Sequence, residues 1–269
     1  MTHSSETAHA KVNLALHVRG KLPDGYHEIE TVFAFCQAGD VVSAETADSI
    51  SLRISGPFGD SLKPDGNLVT KAAAALREAG GASPGASIHL QKFLPVASGI
   101  GGGSADAAAT LRLLNRVWGL DWPDERLEEV AAGLGADVPA CVRSEPTTGK
   151  GRGDVLEPVD LGLSERPILL VNPRVEISTA EAFDRWDGID RGALDDWRHG
   201  RNDLEPAAER LVPQIGGILA WLSAQRGAEC VRMSGSGATC FALFRSDADR
   251  DHAAEGVPRE WWRLATRLR

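Results

Sequence analysis

Four glycines fall within five positions of this chain, at Gly99, Gly101, Gly102 and Gly103. Ser87–Gln91 before them alternates around Ile88 and Leu90, the period of a strand. Ser104–Trp118 after them carries Ala107, Leu111, Leu114 and Trp118 at helical spacing. The expected unit is therefore strand, glycine turn, helix. Such a turn aims backbone N–H groups into one concavity, and the helix start adds roughly half a positive charge. Glycines let an anion lie directly on that backbone, where side chains would block it. The segment Pro95, Val96, Ala97, Ser98, Gly99, Ile100, Gly101, Gly102, Gly103, Ser104 and Ala105 is thus a candidate phosphate cradle, with Ser104 able to cap the helix or reach a phosphate oxygen or a metal.

Other glycine templates fail. No G-x-x-x-x-G-K-[ST] occurs, because Gly149-Lys150 is followed by Gly151. Gly99 and Gly101 would need a third small residue opening a Rossmann helix after an N-terminal strand, and a strand-rich segment comes first. Met233-Ser234-Gly235-Ser236-Gly237 does not fit G-x-S-x-G.

In the first 55 residues, Val12, Leu14, Leu16 and Val18 alternate with Lys11, Asn13 and His17, as on a half-buried strand. Pro23-Asp24-Gly25 marks a turn; Ile29–Phe35, Val41–Glu45 and the run around Leu52 read as further, largely antiparallel strands. Helices are expected over Asn67–Ala79, after Pro123, from the capping box Ser178-Thr179-Ala180-Glu181, and over Leu204–Leu211, Pro213–Gln225 and Asp247–Glu255. Ile168–Val171, Glu229–Met233, Thr239–Phe244 and Trp262–Leu268 read as strands. The mixture is α+β. At 269 residues it suggests one large or two modest domains, with the boundary in 145–165, set at 160/161.

The 38 acidic residues exceed the 29 basic ones, a net charge of −9, which argues against a polynucleotide or anionic-membrane surface. Apolar runs such as Ile218–Leu222 fall far short of the roughly 18 residues of a membrane span. With no leader pattern and four scattered cysteines (Cys36, Cys141, Cys230, Cys240), the expectation is a cytoplasmic protein with buried thiols.

Three motifs then stand in order: Ala10-Lys11-Val12-Asn13-Leu14, the Pro95–Ser104 loop, and Ser234-Gly235-Ser236-Gly237. Together they resemble the GHMP kinases. Asp24-Gly25-Tyr26-His27, Leu134-Gly135-Ala136-Asp137-Val138-Pro139 and Gly200-Arg201-Asn202-Asp203-Leu204-Glu205 narrow the resemblance to members whose alcohol carries a cytidine diphosphate. It spans about residues 8 to 245. Ile100 replaces the family's usual Leu, Ala105 its second Ser, and Ala97 and Ser98 its glycines.

The resemblance implies a two-domain fold: an N-terminal ribosomal-protein-S5-like domain with a left-handed βαβ unit (1–160), and a C-terminal ferredoxin-like α/β sandwich (161–269). It implies ATP with Mg²⁺, the ion held without a dedicated carboxylate cage. The implied substrate is cytidine diphosphate methylerythritol, phosphorylated on its 2-hydroxyl for isoprenoid precursors. It assigns Lys11 and Asp137 to catalysis, and the 95–105 loop to ATP. Asn13, Tyr26, His27 and Phe183 go to the substrate, and Ser234, Gly235, Ser236 and Gly237 to the active centre. The chain is expected to be a monomer or weak homodimer. The alternatives are a kinase of another small alcohol, a non-catalytic nucleotide sensor and a Rossmann dehydrogenase. The Tyr26-His27 pair counts against the first, Lys11 with Asp137 against the second, and the motif context against the third.

Overall fold

The computed structural model describes residues 4–81 and 84–269. It divides into two compact units, neither contiguous in sequence. The first takes Ala38–Val96, Gly101–Ser144 and the N-terminal stretch up to Ala10; the second takes Lys11–Gln37, Ala97–Ile100 and Glu145–Arg269. Two long strands, β1 (Ser4–Lys21) and β2 (His27–Ala47), contribute a segment to each unit. β2 is one continuous strand where the apolar pattern suggested two, because Cys36 and Asp40 in its middle are themselves buried.

In the first unit, β2 pairs antiparallel with β4 (Gly85–Gln91), and β3 (Ser51–Ser55) pairs parallel with β4. Alternation alone does not report that direction. Four helices complete this unit: α1 (Leu68–Gly80), α2 (Gly102–Val117), α3 (Asp124–Ala132) and α4 (Val138–Arg143). Asn67 caps α1 by accepting from the Val69 N–H at 2.9 Å, and Gly81 leaves the helix at φ +64°. Every residue of α2 from Ala105 to Asn115 except Arg112 is buried, so this helix is enclosed on all sides, beyond the single apolar stripe of its sequence. Arg112 is satisfied by Glu6 at 2.9 Å and by the carbonyls of Thr7, Cys141 and Val142. It thereby fixes α4 to α2.

In the second unit, β2 pairs with β5 (Thr147–Lys150), which pairs with β6 (Val155–Pro158), both antiparallel. A separate four-stranded antiparallel sheet has the order β10 (Trp262–Arg267), β7 (Pro167–Asn172), β9 (Cys240–Phe244), β8 (Ala228–Met233). β7 and β9 are buried along their whole length. The core beside them includes Ile215, Ile218 and Leu222 from α7 (Gln214–Ser223), Ala208 from α6 (Glu205–Leu211), Ala182 from α5 (Thr179–Asp184) and Ala253 from α8 (Asp247–Gly256). Ser178 caps α5 as the sequence pattern expects. No helix of the described residues is long and apolar enough to cross a membrane. Cys36, Cys141 and Cys240 are buried, and burial pushes the Cys36 thiol up to about 12.

Candidate active site

Strand β1 departs from the half-buried expectation: Lys11, Asn13 and His17, its polar face, are each 3 % exposed. Their contacts explain the burial. The Lys11 N–H donates to the Ile100 carbonyl at 3.0 Å. Its Nζ lies 4.2 Å from the centroid of the Phe33 ring and 3.5 Å from Asn13 Oδ1. Asn13 Nδ2 donates to Thr31 Oγ1 at 2.8 Å, and Thr31 passes its own hydrogen to the Ala15 carbonyl at 2.7 Å. A short relay therefore holds the amide, leaving its oxygen turned toward the ammonium.

Ser234 joins all three sequence motifs. Its Oγ donates to the Gly99 carbonyl at 2.8 Å and accepts the Asn13 N–H at 3.1 Å. The turn it opens closes on itself, Gly237 N–H to Ser234 O at 3.0 Å and Ser234 N–H to Thr239 O at 2.8 Å. The Thr239 N–H then reaches the Ser98 carbonyl at 3.1 Å. Gly99 (φ +77°) must be glycine twice over, because a Cβ there would stand 2.4 Å from the Ser234 carbonyl oxygen. Gly235 (φ +56°) would meet the Gly99 carbonyl at 2.8 Å and Asn13 Oδ1 at 3.3 Å. Lys11, Asn13, Ser98, Gly99, Ile100, Ser234 and Gly235 are thus brought together in the second unit. Ser236 Oγ lies 3.1 Å from Thr179 Oγ1.

Asn202 props this turn, a role the sequence did not reveal. Its Nδ2 donates to the carbonyls of Met233 and Gly235, both at 2.8 Å, while its Oδ1 accepts the Leu204 N–H at 3.0 Å. Neighbouring Asp203 accepts the Val18 N–H at 2.8 Å and Arg201 Nε at 2.6 Å. The signal was the Gly200–Glu205 motif itself, whose polar residues have no helical or strand period to explain them.

The remaining loop residues belong to the first unit. α2 begins at Gly102, two residues earlier than expected, so Ser104 lies inside its first turn and does not cap it. Gly101 is the N-cap at φ +64° and, as a glycine, provides no side-chain cap to the first-turn N–H groups. That leaves donors at a helix N-terminus, the arrangement an anion seeks. A Cβ at Gly103 would lie 3.5 Å from Leu68 Cδ1, which places Leu68 beside this turn. Asp137 stands in the same unit at the N-cap of α4, half-buried, with its carboxylate not capping the helix. Arg112 connects that short helix to α2, as described above. α4 was not expected from the sequence, since six residues give no readable period.

Beneath the cradle lies a buried ionic cluster. Lys92 Nζ is 2.5 Å from Asp40 Oδ2 and 2.7 Å from Asp106 Oδ2. Burial alone would lower the lysine, yet the two carboxylates hold it above its ordinary value. Burial pushes Asp106 up, to about 7.

A further aromatic cluster stands in the second unit. The rings of His27 and Phe183 stack at 5.0 Å with an interplanar angle of 26°, and Trp186 meets His27 edge-on at 5.7 Å. Phe183 both packs on the core and presents this face. Trp186, three residues on along the chain, was missed by the sequence reading. Burial, then Lys21, holds His27 below its ordinary value, so its imidazole is neutral at pH 7. Tyr26 is 56 % exposed, with the Arg152 guanidinium 4.4 Å from its ring centroid and Arg152 in turn paired with Asp24.

Comparison with known proteins returns two family matches: the GHMP kinases N terminal domain over residues 67–145 and the GHMP kinases C terminal domain over residues 179–264. A 4-diphosphocytidyl-2-C-methyl-D-erythritol kinase of Rhizorhabdus wittichii is 52 % identical, with 99 % of this chain and 95 % of that one covered. The protein of the same name from Novosphingobium aromaticivorans is 50 % identical over 98 % and 92 %. A crystal structure of 4-(cytidine 5'-diphospho)-2C-methyl-D-erythritol kinase superposes with a TM-score of 0.84 at 31 % identity, covering 98 % and 99 %.

Proposed function

This chain belongs to the GHMP kinase family, and on that premise we propose that it transfers the γ-phosphoryl group of ATP to the 2-hydroxyl of 4-diphosphocytidyl-2-C-methyl-D-erythritol, a step toward isoprenoid precursors. The observation that carries the reading is the meeting of three motifs on one hydroxyl, Ser234 Oγ, bonded to both Asn13 and Gly99.

Phosphoryl transfer asks the protein for positioning and charge neutralisation more than for covalent chemistry. The uncapped N–H groups of Gly102, Gly103 and Ser104 are the donors for the ATP phosphates. A dipole contribution of about 0.3–1 kcal/mol orients the triphosphate without driving its transfer. The Pro95–Ala105 segment as a whole forms the nucleotide loop. Mg²⁺, when bound with ATP, would supply charge neutralisation for the triphosphate, and Ser104 in the first turn of α2 is the residue that would help to hold it.

Asp137 takes the proton of the 2-hydroxyl. As that O–H bond breaks, the oxygen attacks the γ-phosphorus, and the bond to the bridging oxygen breaks to leave ADP. Lys11 stabilises the charge that gathers on the transferring group, its ammonium held by the Phe33 face and Asn13 Oδ1. The neutral His27 ring has one donor and one acceptor nitrogen, matched to the edge of a cytosine; exposed Tyr26 offers a ring face for stacking, and Phe183, stacked on His27, completes the aromatic wall of the substrate site. In chain order we place the domain division at 160/161, and the protein in the cytoplasm as a monomer or weak homodimer.

The test is ADP release with Mg·ATP across a panel of alcohols: the cytidylated methylerythritol, mevalonate and homoserine. Turnover is expected with the first and its loss on chelation of Mg²⁺. Release with mevalonate or homoserine and none with the cytidylated alcohol would overturn the substrate.

A further inference from the structure

We propose that Lys92 is a positioning residue for the nucleotide: held by Asp40 and Asp106 directly under Gly102, its ammonium sets the pose of the first turn of α2. The inference rests on the reading of that turn as the phosphate cradle.

The cluster is fully enclosed, Lys92 at 2 %, Asp40 at 0 % and Asp106 at 3 % exposure. Its bonds run to three separate pieces of chain. Lys92 is the first residue after β4, and its own backbone is fixed: N–H to the Ser55 carbonyl at 2.8 Å, carbonyl to the Phe58 N–H at 3.2 Å. Its ammonium grips Asp106 in the second turn of α2 and Asp40 on β2. The other oxygen of Asp40 accepts the N–H groups of Phe93 and Leu94, at 2.5 and 2.8 Å. The chain leading into the glycine loop and the helix leading out of it are therefore tied to the same three groups.

Gly102 shows what this does. It has no positive φ, so backbone conformation does not demand glycine there. A Cβ on it would lie 3.0 Å from Lys92 Nζ and 3.9 Å from Asp40 Oδ2. The ammonium thus occupies the edge of the space that a side chain at Gly102 would need. A buried ion cluster of this kind seldom adds stability over apolar packing, because desolvation offsets the attraction. What it does supply is direction, through short charge-assisted bonds of fixed geometry. Amide donors aimed at a phosphate need placement to within about half an ångström.

The test is steady-state kinetics on the full chain, varying ATP and the cytidylated alcohol separately, with thermal melting as the check on folding. Lys92→Met is expected to raise KM for ATP about tenfold or more, leaving kcat and the KM for the alcohol within about threefold. Gly102→Ala is expected to raise KM for ATP in the native background and to add less than about twofold to Lys92→Met, since both disturb one contact. Should Lys92→Met not fold, Asp106→Ala decides. A loosened turn raises KM for ATP, although the substitution removes negative charge beneath an anion, whereas a purely electrostatic role lowers it. A fall in KM with Asp106→Ala, full additivity of the first pair, or a loss confined to kcat would each overturn the proposal. A native chain that releases no ADP at all would instead overturn the kinase reading.

Discussion

Lys11 keeps an ammonium in a place with little water, 3 % exposed, against a Phe33 ring and an amide oxygen. Such a charge is costly to bury and serves best where another charge develops. Lys11→Met and Asp137→Asn are each expected to lower turnover by about 10²–10⁴-fold, the usual worth of a positioned proton or charge partner, with melting temperature little changed. ADP release beside a melting curve checks both, and full activity in either variant removes the assigned role. Asn202 belongs to a different class. Truncating it to Ala strands two buried carbonyls, Met233 and Gly235, and should cost about 1–3 kcal/mol of stability in urea unfolding, with activity falling as the turn loosens.

At the level of the element, β1 shows both what a sequence pattern says and where it stops. Period-two alternation located the strand, and Gly99–Gly103 located the turn before α2, because each signal is local. Alternation did not say that the polar face of β1 is buried, since what covers Asn13 includes Ser234, 221 residues away. Asn202, present in a motif, and Phe33, present in a strand, receive no role from the sequence pattern for the same reason, and α4 is not expected from it because it is shorter than two turns. His17 adds a pH dependence. Its Nε2 accepts the Arg201 N–H at 3.3 Å and its Nδ1–H donates to the Gly192 carbonyl at 3.0 Å, so the fold uses the neutral ring. Burial holds it below the ordinary value of 6.5. The unfolded chain then binds the proton first, so stability is fully present above about pH 6.5 and lost as pH falls below it. A melting temperature that declines from pH 7 to 5.5 is expected, and His17→Gln should flatten that decline. Gly99→Ala tests the turn: the strained φ and the 2.4 Å approach to the Ser234 carbonyl should destabilise the chain by more than about 1 kcal/mol and remove most activity. A variant as stable and active as the parent would show that this junction yields freely.

For the whole molecule, the charge of −9 sits beside a cradle built from uncharged backbone donors. A single nucleotide can be held that way while the surface still repels a polyanion. The protein is therefore expected to pass unretained through a heparin column at pH 7 and physiological salt; retention would contradict that separation of local from global charge. The interleaving of the two compact units carries a consequence for synthesis. Residues 11–37 leave the ribosome early but belong with a unit whose other strands arrive only after Glu145, and residues 97–100 wait in the same way inside a segment that can otherwise assemble by Ser144. The early strands, β1 and β2, can pair with each other, but the rest of their unit is missing while more than a hundred further residues are added, which at about 5–20 residues per second is several seconds. Any single cut within those interleaved segments deprives at least one unit of a piece it needs, and the second unit reaches its final form only after the chain beyond Glu145 has emerged.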